Sequence, residues 1–315
     1  MRIKLFILFI LLSGIFISCE KDITVDLPKT EKKIVIEGAI EQGQYPWVVI
    51  TRNSPYFEPL NFNFDSASIV NLLLHRDSSL LDKIVLNAVV TVTDGIIVDT
   101  LRLTIDPYQL PYFKYRGSQI IGQAGKTYLL KVIADGKTFT ANTSIPSPVS
   151  IDSIKFKLEP NLDSLGTLWF YFKDPDVLGN CYRYFTKTIG KDSVFVHPSS
   201  SVADDKLYNG KYVEYNAFRG RYPLNTQAQN DEYHNKEHPG WAFKIGETVI
   251  FKFCTLDYQY YKFLYSVEAQ MYSDGNPFSS PSSVITNIEG GALGAWGGYG
   301  VYVDTLHIQV NQLLK

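Results

Sequence analysis

The segment VLNAVVTVTDGIIVDTLRL, residues 85–103, decides the fold class of this chain. Two runs rich in Val, Leu, Ile and Thr, residues 85–93 and 98–103, flank Asp94-Gly95, a pair typical of tight β-hairpin turns. β-Branched residues favour extended strands because their stiff side chains fit a pleated sheet. The segment therefore predicts an antiparallel hairpin and places the surrounding chain in a β-rich domain.

Strand patterns continue on both sides of this hairpin. They occur at residues 33–38, 46–51, 125–132 and 138–141. Short strands at this spacing, with a second turn at Asp135-Gly136, are typical of an immunoglobulin-like antiparallel sandwich. We therefore predict an N-terminal β-sandwich over residues 33–146, followed by a stiff linker that begins at Ile145-Pro146.

Residues 147–315 predict a second β-rich domain, either a sandwich or barrel-like, that carries one α-helix. Strand patterns occur there at residues 151–158, 167–173, 182–188, 193–197 and 247–253. The helix is predicted over residues 257–272, where apolar side chains recur at helical spacing before the stop signal of residues 274–277. Long polar connections at 53–82 and 199–241 are of the kind that carries recognition.

Composition and charge exclude several classes of function. The chain of 315 residues contains 30 basic and 32 acidic residues, which gives a net charge of −2. Because there is no basic excess to attract a polyphosphate backbone, nucleic-acid binding is disfavoured. The sequence has no G-x-S-x-G, P-loop or dinucleotide-binding pattern. We predict a protein that uses no cofactor and is not an enzyme.

The N-terminus has the pattern of a bacterial secretory signal. Two basic residues precede the apolar run of residues 5–17, which ends just before Cys19. This pattern predicts a lipoprotein signal peptide over residues 1–18, acyl chains such as palmitate on Cys19, and an extended tether over residues 19–32. The alternatives are a transmembrane helix and an ordinary signal peptide with a chance Cys. The run of 13 residues is shorter than the ~20 that span a bilayer.

Cys181 and Cys254 are the two cysteines that remain if Cys19 carries lipid. An exported compartment permits a disulfide, and both residues lie in predicted strands of the second half. Because pairing cannot be deduced from spacing, two interpretations stay open: a disulfide between them, or two buried free thiols.

Residues 234–238, His-Asn-Lys-Glu-His, match the H-x-x-E-H pattern of inverted zincins. Such a site needs both His side chains on one helical face, with the Glu as general base over a zinc-bound water. Pro239-Gly240 follows directly, and the neighbouring Asn and Asp residues are poor helix formers. The segment therefore predicts a polar loop, and His234 and His238 are kept only as metal candidates of a hydrolase hypothesis.

The C-terminal segment combines glycines with aromatic residues. Trp296, Tyr299 and Tyr302 are candidates for a ligand-stacking platform, with packing in the core or on a sheet surface as the alternative. The glycines around them follow no strand-to-helix turn and include no Lys, so they do not predict a phosphate cradle. They predict tight turns and close packing against the helix.

Several of these motifs occur together in a known family. They are Glu37-Gly38, Ala88-Val89, Gly125 with Tyr128-Leu129, Ile145-Pro146, and the closing run Asn276-Pro277-Phe278, Asn287-Ile288, Gly290-Gly291 and Leu293-Gly294. With these motifs the mature chain resembles a lipoprotein family of Bacteroidota catalogued as domain of unknown function 4249. The resemblance implies an outer-membrane lipoprotein, often encoded beside TonB-dependent receptors, with an N-terminal sandwich like transthyretin-like or carboxypeptidase-regulatory modules. It implies no catalytic residues.

Together these features predict a lipid-anchored protein of the cell envelope that is an accessory or binding component of a TonB-dependent outer-membrane uptake system. Glu20-Lys21-Asp22, directly after Cys19, resembles the export tag of surface lipoproteins and favours the outward membrane face. The alternative is a surface lipoprotein that captures a glycan or peptide by itself. A metal-dependent hydrolase is the third hypothesis.

Overall fold

The computed structural model describes residues 31–53, 83–106, 111–198, 200–220, 239–273 and 283–309. Within them the fold is mainly β with one helix, as predicted. The strands are β1 (Ile34–Glu41), β2 (Trp47–Arg52), β3 (Val89–Thr93), β4 (Val98–Ile105), β5 (Phe113–Arg116), β6 (Thr127–Ala134), β7 (Lys137–Ser144), β8 (Ser153–Leu158), β9 (Leu165–Lys173), β10 (Cys181–Thr188), β11 (Val202–Asp204), β12 (Tyr212–Ala217), β13 (Phe243–Lys244), β14 (Thr248–Leu256) and β15 (Leu293–His307). The helix α1 spans Tyr258–Ser273.

Eleven of the described strands form one large sheet in the order β11-β10-β14-β15-β1-β2-β5-β4-β3-β6-β7. Its neighbouring strands are antiparallel except β1 and β15, which run parallel. In the small sheet, β9 pairs with β8 on one side and with β12 and β13 on the other. Both sheets are open at their edges, which agrees with the sandwich alternative for the second half of the chain.

β15 connects the two halves of the chain. The domain boundary predicted at residue 146 falls between β7 and β8, but the large sheet continues across it because β15 pairs with both β1 and β14. The glycines of residues 293–300 were expected to form tight turns and to pack closely against the helix. The first expectation is wrong, and the second is confirmed at Gly297, which lies against Tyr260 of the helix that follows β14. These glycines lie in strand β15, where Gly294, Gly297 and Gly298 pair with β1 and Gly300 pairs with β14.

Each half has its own hydrophobic core. The N-terminal core is mostly aliphatic and includes Ile36, Ile40, Val48, Ile50, Val90, Val92, Leu130 and Val132. The second core lies between the small sheet and strands β10 and β14, and it is strongly aromatic. The Phe170 ring centroid lies 5.0–5.9 Å from five neighbouring rings, mostly at tilted angles that suit the ring quadrupoles.

Trp296 anchors β15 in the N-terminal core. Its indole Nε1 donates a hydrogen bond to the Tyr128 carbonyl at 3.2 Å. The Asn287 side chain accepts from the Trp296 backbone N–H at 2.9 Å and donates to its carbonyl at 2.8 Å. β14 pairs with β15 only from Tyr299 onward, so Asn287 satisfies backbone groups that have no strand partner on that side. This explains structurally why the Asn287-Ile288 motif precedes β15.

The predicted helix is confirmed, with bounds that differ by one residue at each end. Asp257 caps its N-terminus, because Oδ1 accepts from the backbone N–H groups of Gln259 and Tyr260 at 2.9 and 3.3 Å. α1 packs on β10, β11 and β15. Its buried side includes Tyr260, Tyr261 and Leu264, whereas Tyr265 is exposed.

Candidate functional site

Several predicted site residues lie outside the described residues. They are Cys19, His234 and His238, together with residues 54–82 and 221–238 of the two polar connections. In the part of the chain that is described, no helix is both long and apolar enough to cross a membrane. The same described ranges hold no group of three or more His, Cys, Asp or Glu side chains that could bind a metal ion.

The predicted stacking residues are buried. Trp296 is 0% exposed in the N-terminal core, and Tyr299 is 4% exposed beneath α1. Tyr302 is partly buried against the second core. The stacking prediction for Trp296 and Tyr299 is therefore wrong, and the core-packing alternative describes both. The reason is that β15 lies inside a sheet that is covered on both faces at these positions.

Cys181 and Cys254 are free, buried thiols in the structure. Arg183, not Cys181, lies opposite Cys254 in the β10–β14 register, so the two cysteines are diagonal neighbours on one face. Diagonal Cα atoms are about 7–8 Å apart, which exceeds the usual disulfide span. The sequence left open a disulfide or two buried free thiols, and in the structure the two cysteines are free thiols.

We expect neither thiol to react in the folded protein. Burial raises the pKa of both Cys181 and Cys254 to about 12, which lowers the reactive thiolate fraction near pH 8 by roughly 1,000-fold relative to an unfolded chain. Ellman's reagent applied to a Cys19→Ser variant should titrate no thiol rapidly in buffer and two in denaturant. Two missing thiols in denaturant without reductant would instead indicate a disulfide.

A polar cluster lies between α1 and the large sheet. Arg183 donates from Nε to the Ser201 hydroxyl at 3.0 Å and from Nη1 to the Tyr299 hydroxyl at 3.4 Å. The Ser201 backbone N–H donates to Glu268 Oε1 at 3.3 Å, and the Ser201 hydroxyl lies 3.5 Å from that oxygen. The same hydroxyl lies 3.5 Å from His197 Nδ1.

This cluster does not have the geometry of a hydrolytic Ser-His-acid triad. In a triad the His takes the Ser proton while the acid bonds to the other ring nitrogen. Here Glu268 contacts Ser201 instead, and His197 Nδ1 lies 2.9 Å from the Pro198 carbonyl, so that nitrogen must carry its proton. Burial, aided by the Arg183 charge, lowers the pKa of His197 to about 3. We assign the cluster the role of holding α1 and the segment before β11 on the large sheet.

The cavity between the two sheets is too small for a ligand. Aromatic side chains of the second core line it, together with Arg183 and Ser201 at one edge. Its volume is about 10 Å³, which leaves room for one water molecule. A ligand of ordinary size therefore does not fit in this cavity.

The outward side of the small sheet carries an unusual set of side chains. We call it the aromatic–lysine face, and its residues are Lys155, Lys157, Trp169, Tyr171, Lys173, Tyr212 and Glu214. Successive residues of a strand point to opposite sides of the sheet, so Phe170 and Phe172 enter the second core while Trp169 and Tyr171 point outward.

The side chains of the aromatic–lysine face contact one another. The Lys157 ammonium lies 3.8 Å from the Trp169 ring centroid and 2.7 Å from Glu214 Oε1. The Tyr171 hydroxyl donates to the same oxygen at 2.8 Å. The hydrogen bond from Lys157 lowers the pKa of Glu214, which keeps that carboxylate charged. With Tyr212 60% exposed, the face presents rings and charges to solvent.

Sequence patterns located β8 and β9 but not this face, and they missed β12, which lies within the polar connection predicted over residues 199–241. Residues 151–158 and 167–173 were both predicted as alternating strands, and each is confirmed within two residues at either end. In β9 both sides are aromatic, so alternation alone does not tell which side is covered. The neighbouring strand β8 could have identified the solvent-exposed side, because Lys155 and Lys157 lie on the same side of it and lysine side chains are rarely buried.

A family model described as domain of unknown function (DUF4249) matches residues 20–304. The chain belongs to this family. The DUF4249 match extends from the predicted tether into β15 and therefore includes both sheets and α1. It confirms the domain family that the motifs indicated. No curated protein matches the chain at a significant level.

Proposed function

We propose that this DUF4249 protein is a lipid-anchored, non-catalytic protein of the bacterial outer membrane that serves as an accessory or binding component of TonB-dependent uptake. The observation that supports a binding role is the aromatic–lysine face, where the exposed Tyr212 and the partly exposed Trp169 and Tyr171 lie among charged side chains on a β-sheet. Aromatic side chains are enriched at recognition surfaces because they offer large contact areas with few rotatable bonds.

The membrane location is inferred from the N-terminal sequence pattern, and the partner from what the family resemblance implies. The charged Glu20-Lys21-Asp22 supports the outward face of the membrane. A 14-residue tether over residues 19–32 reaches at most about 50 Å. Such a tether keeps the folded body close to a membrane receptor and raises its effective concentration there.

Lipid anchoring is tested by the variant Cys19→Ser, expressed as the full chain in a bacterial host that processes lipoproteins. We expect wild type to incorporate labelled palmitate and to fractionate with the outer membrane. The variant should incorporate no label and lose the outer-membrane association. Cys181→Ser is the matched control, because it removes a buried thiol and should stay in the membrane fraction. Palmitate on the Cys19→Ser protein would contradict the anchor.

The partner is tested by affinity purification of the tagged full-length protein from detergent-solubilised outer membranes. We expect a TonB-dependent receptor to co-purify. Recovery of the protein without any such receptor would contradict the accessory role. The alternative, a lipoprotein that captures a glycan or peptide by itself, is also supported by the aromatic–lysine face and would then be favoured.

A further inference from the structure

We propose that the aromatic–lysine face binds an acidic polysaccharide, a chain of sugar rings that carries carboxylate or sulfate groups. The inference deepens the proposed function by naming a ligand class, and it rests on the binding role proposed above. Three properties of the face support it: the arrangement of its rings, its local charge and its position on the sheet.

The three rings form a row across the small sheet. Trp169 and Tyr171 are two residues apart on β9, a spacing of about 7 Å. Tyr212 on β12 lies diagonally across from Tyr171, about 7–8 Å away, because Glu214 is the direct partner of Tyr171. Sugar rings offer apolar C–H faces that stack on aromatic rings. A row of regularly spaced rings suits an extended chain of sugars better than a compact ligand.

The face is locally cationic on an acidic protein. Three lysines, Lys155, Lys157 and Lys173, contribute three positive charges. Glu214 and Asp152, which borders the face and is hydrogen-bonded to Tyr212, contribute two negative charges, so the net charge of the face is +1. The whole chain carries −2. Among the described residues Lys155 has no ion-pair partner, and its ammonium lies 5.6 Å from the Tyr171 ring centroid. Lys155 is therefore available to an anionic group of a ligand stacked on that ring.

The position of these residues argues against a peptide strand as the ligand. A peptide that extends a sheet pairs with backbone groups at a strand edge. The aromatic–lysine face lies on the flat side of the small sheet, where the backbone groups of β9 are already paired with β8, β12 and β13. Recognition there has to use side chains.

A lipid surface is the other occupant that lysines and aromatic rings suggest. Membrane contact requires rings that enter the headgroup region. Here Trp169 lies under the Lys157 ammonium and the Tyr171 hydroxyl is hydrogen-bonded to Glu214, so both partly buried rings are held against the sheet and do not extend into a headgroup region. The exposed, flexible side chain of Lys157 is able to move from Trp169 to a ligand carboxylate. These contacts favour the acidic polysaccharide.

The test uses the purified Cys19→Ser chain without detergent, since it has no acyl chains of its own, with polygalacturonate, neutral dextran and anionic phosphatidylglycerol vesicles as probes. We expect polygalacturonate to bind roughly tenfold more tightly than dextran and to weaken as salt increases. Trp169→Ala and Lys155→Glu should each weaken that binding by roughly tenfold. Tyr265→Ala and Lys262→Glu, which change an aromatic residue and a cation on α1, are the matched controls and should bind as wild type does.

The possible outcomes distinguish a wrong ligand, a wrong binding site and a wrong proposed function. If polygalacturonate does not bind, or if Lys155→Glu binds it as wild type does, the proposed ligand or site is wrong. Binding to the vesicles without binding to polygalacturonate identifies a lipid surface instead. If a TonB-dependent receptor co-purifies while polygalacturonate does not bind, the ligand class fails and the proposed function stands. Lys155 is exposed on β8, so its replacement tests binding without disturbing the core.

Discussion

Gly297→Ala is expected to destabilise the protein by about 3 kcal/mol, because the strand has no room for even one methyl group at this position. A Cβ on Gly297 would lie 2.2–2.5 Å from three ring carbons of Tyr260. That ring is 2% exposed and is packed against Phe263 and Tyr299, with centroids at 6.1 and 5.4 Å. The ring therefore cannot move aside without lifting α1 from the sheet.

The predicted change in stability has the opposite sign to the usual effect of Gly→Ala in a strand. In a strand with free space, Gly→Ala is normally stabilising by roughly 0.5–1 kcal/mol, because Gly loses more conformational entropy on folding. Urea unfolding of wild type and Gly297→Ala at constant pH measures the difference. The control is a Tyr260→Ala background, where the methyl group has room and Gly297→Ala should cost less than about 1 kcal/mol. An equal loss in both backgrounds would show that the strain lies in the strand and not against Tyr260.

Local patterns predicted those elements whose conformation depends on neighbouring residues. The hairpins at Asp94-Gly95 and Asp135-Gly136 and the helix that follows Asp257 are of this kind. β15 could not be predicted in this way, because its pairing with β1 joins segments more than 250 residues apart. Its four glycines in residues 293–300 indicate turns when read alone. Only the position of Tyr260 explains why a glycine is needed at residue 297.

The same limit applies to the candidate site. Aromatic residues occur in both β9 and β15, but a ring is available to a ligand only if nothing covers its side of the sheet. α1 and the N-terminal core cover Tyr299 and Trp296 on the two sides of β15. In β9 one side meets the aromatic core and the other, with Trp169 and Tyr171, faces solvent. Which side of a strand is buried depends on which sheets and helices pack together, and this cannot be predicted from the alternation of residues along one strand.

A buried ion pair connects the first strand to the second half of the chain. Lys252 on β14 donates to both oxygens of Glu41 on β1, at 3.0 and 3.1 Å, across the intervening strand β15. Its ammonium also lies 4.6 and 4.7 Å from the ring centroids of Phe185 and Phe195. Burial alone would lower the pKa of Lys252, but the charges and hydrogen bonds around it, first among them those of the Glu41 carboxylate, together raise it. The charged form of Lys252 is therefore favoured in the folded state.

Removal of Glu41 is expected to cost about 3 kcal/mol, because Glu41→Ala leaves the Lys252 ammonium, 8% exposed, without its counter-charge. Lys252→Met should cost less, since Met keeps the contact with the two Phe rings and the Glu41 side chain, 22% exposed, can still reach water. The double variant should be more stable than Glu41→Ala alone. Urea unfolding of the four proteins measures the coupling, and costs that simply add would contradict it.

The pH dependence of the same variants gives an independent test with a defined sign. A Lys whose folded-state pKa is raised contributes stability that is fully present below its unfolded value of 10.5 and is lost as pH rises through the folded-state pKa. Wild type should therefore lose stability above pH 10.5 more steeply than the Glu41→Ala, Lys252→Met double variant, which has neither charge. Parallel stability curves for the two proteins in this range would show that the pair does not hold β1 to β14 through the Lys252 charge.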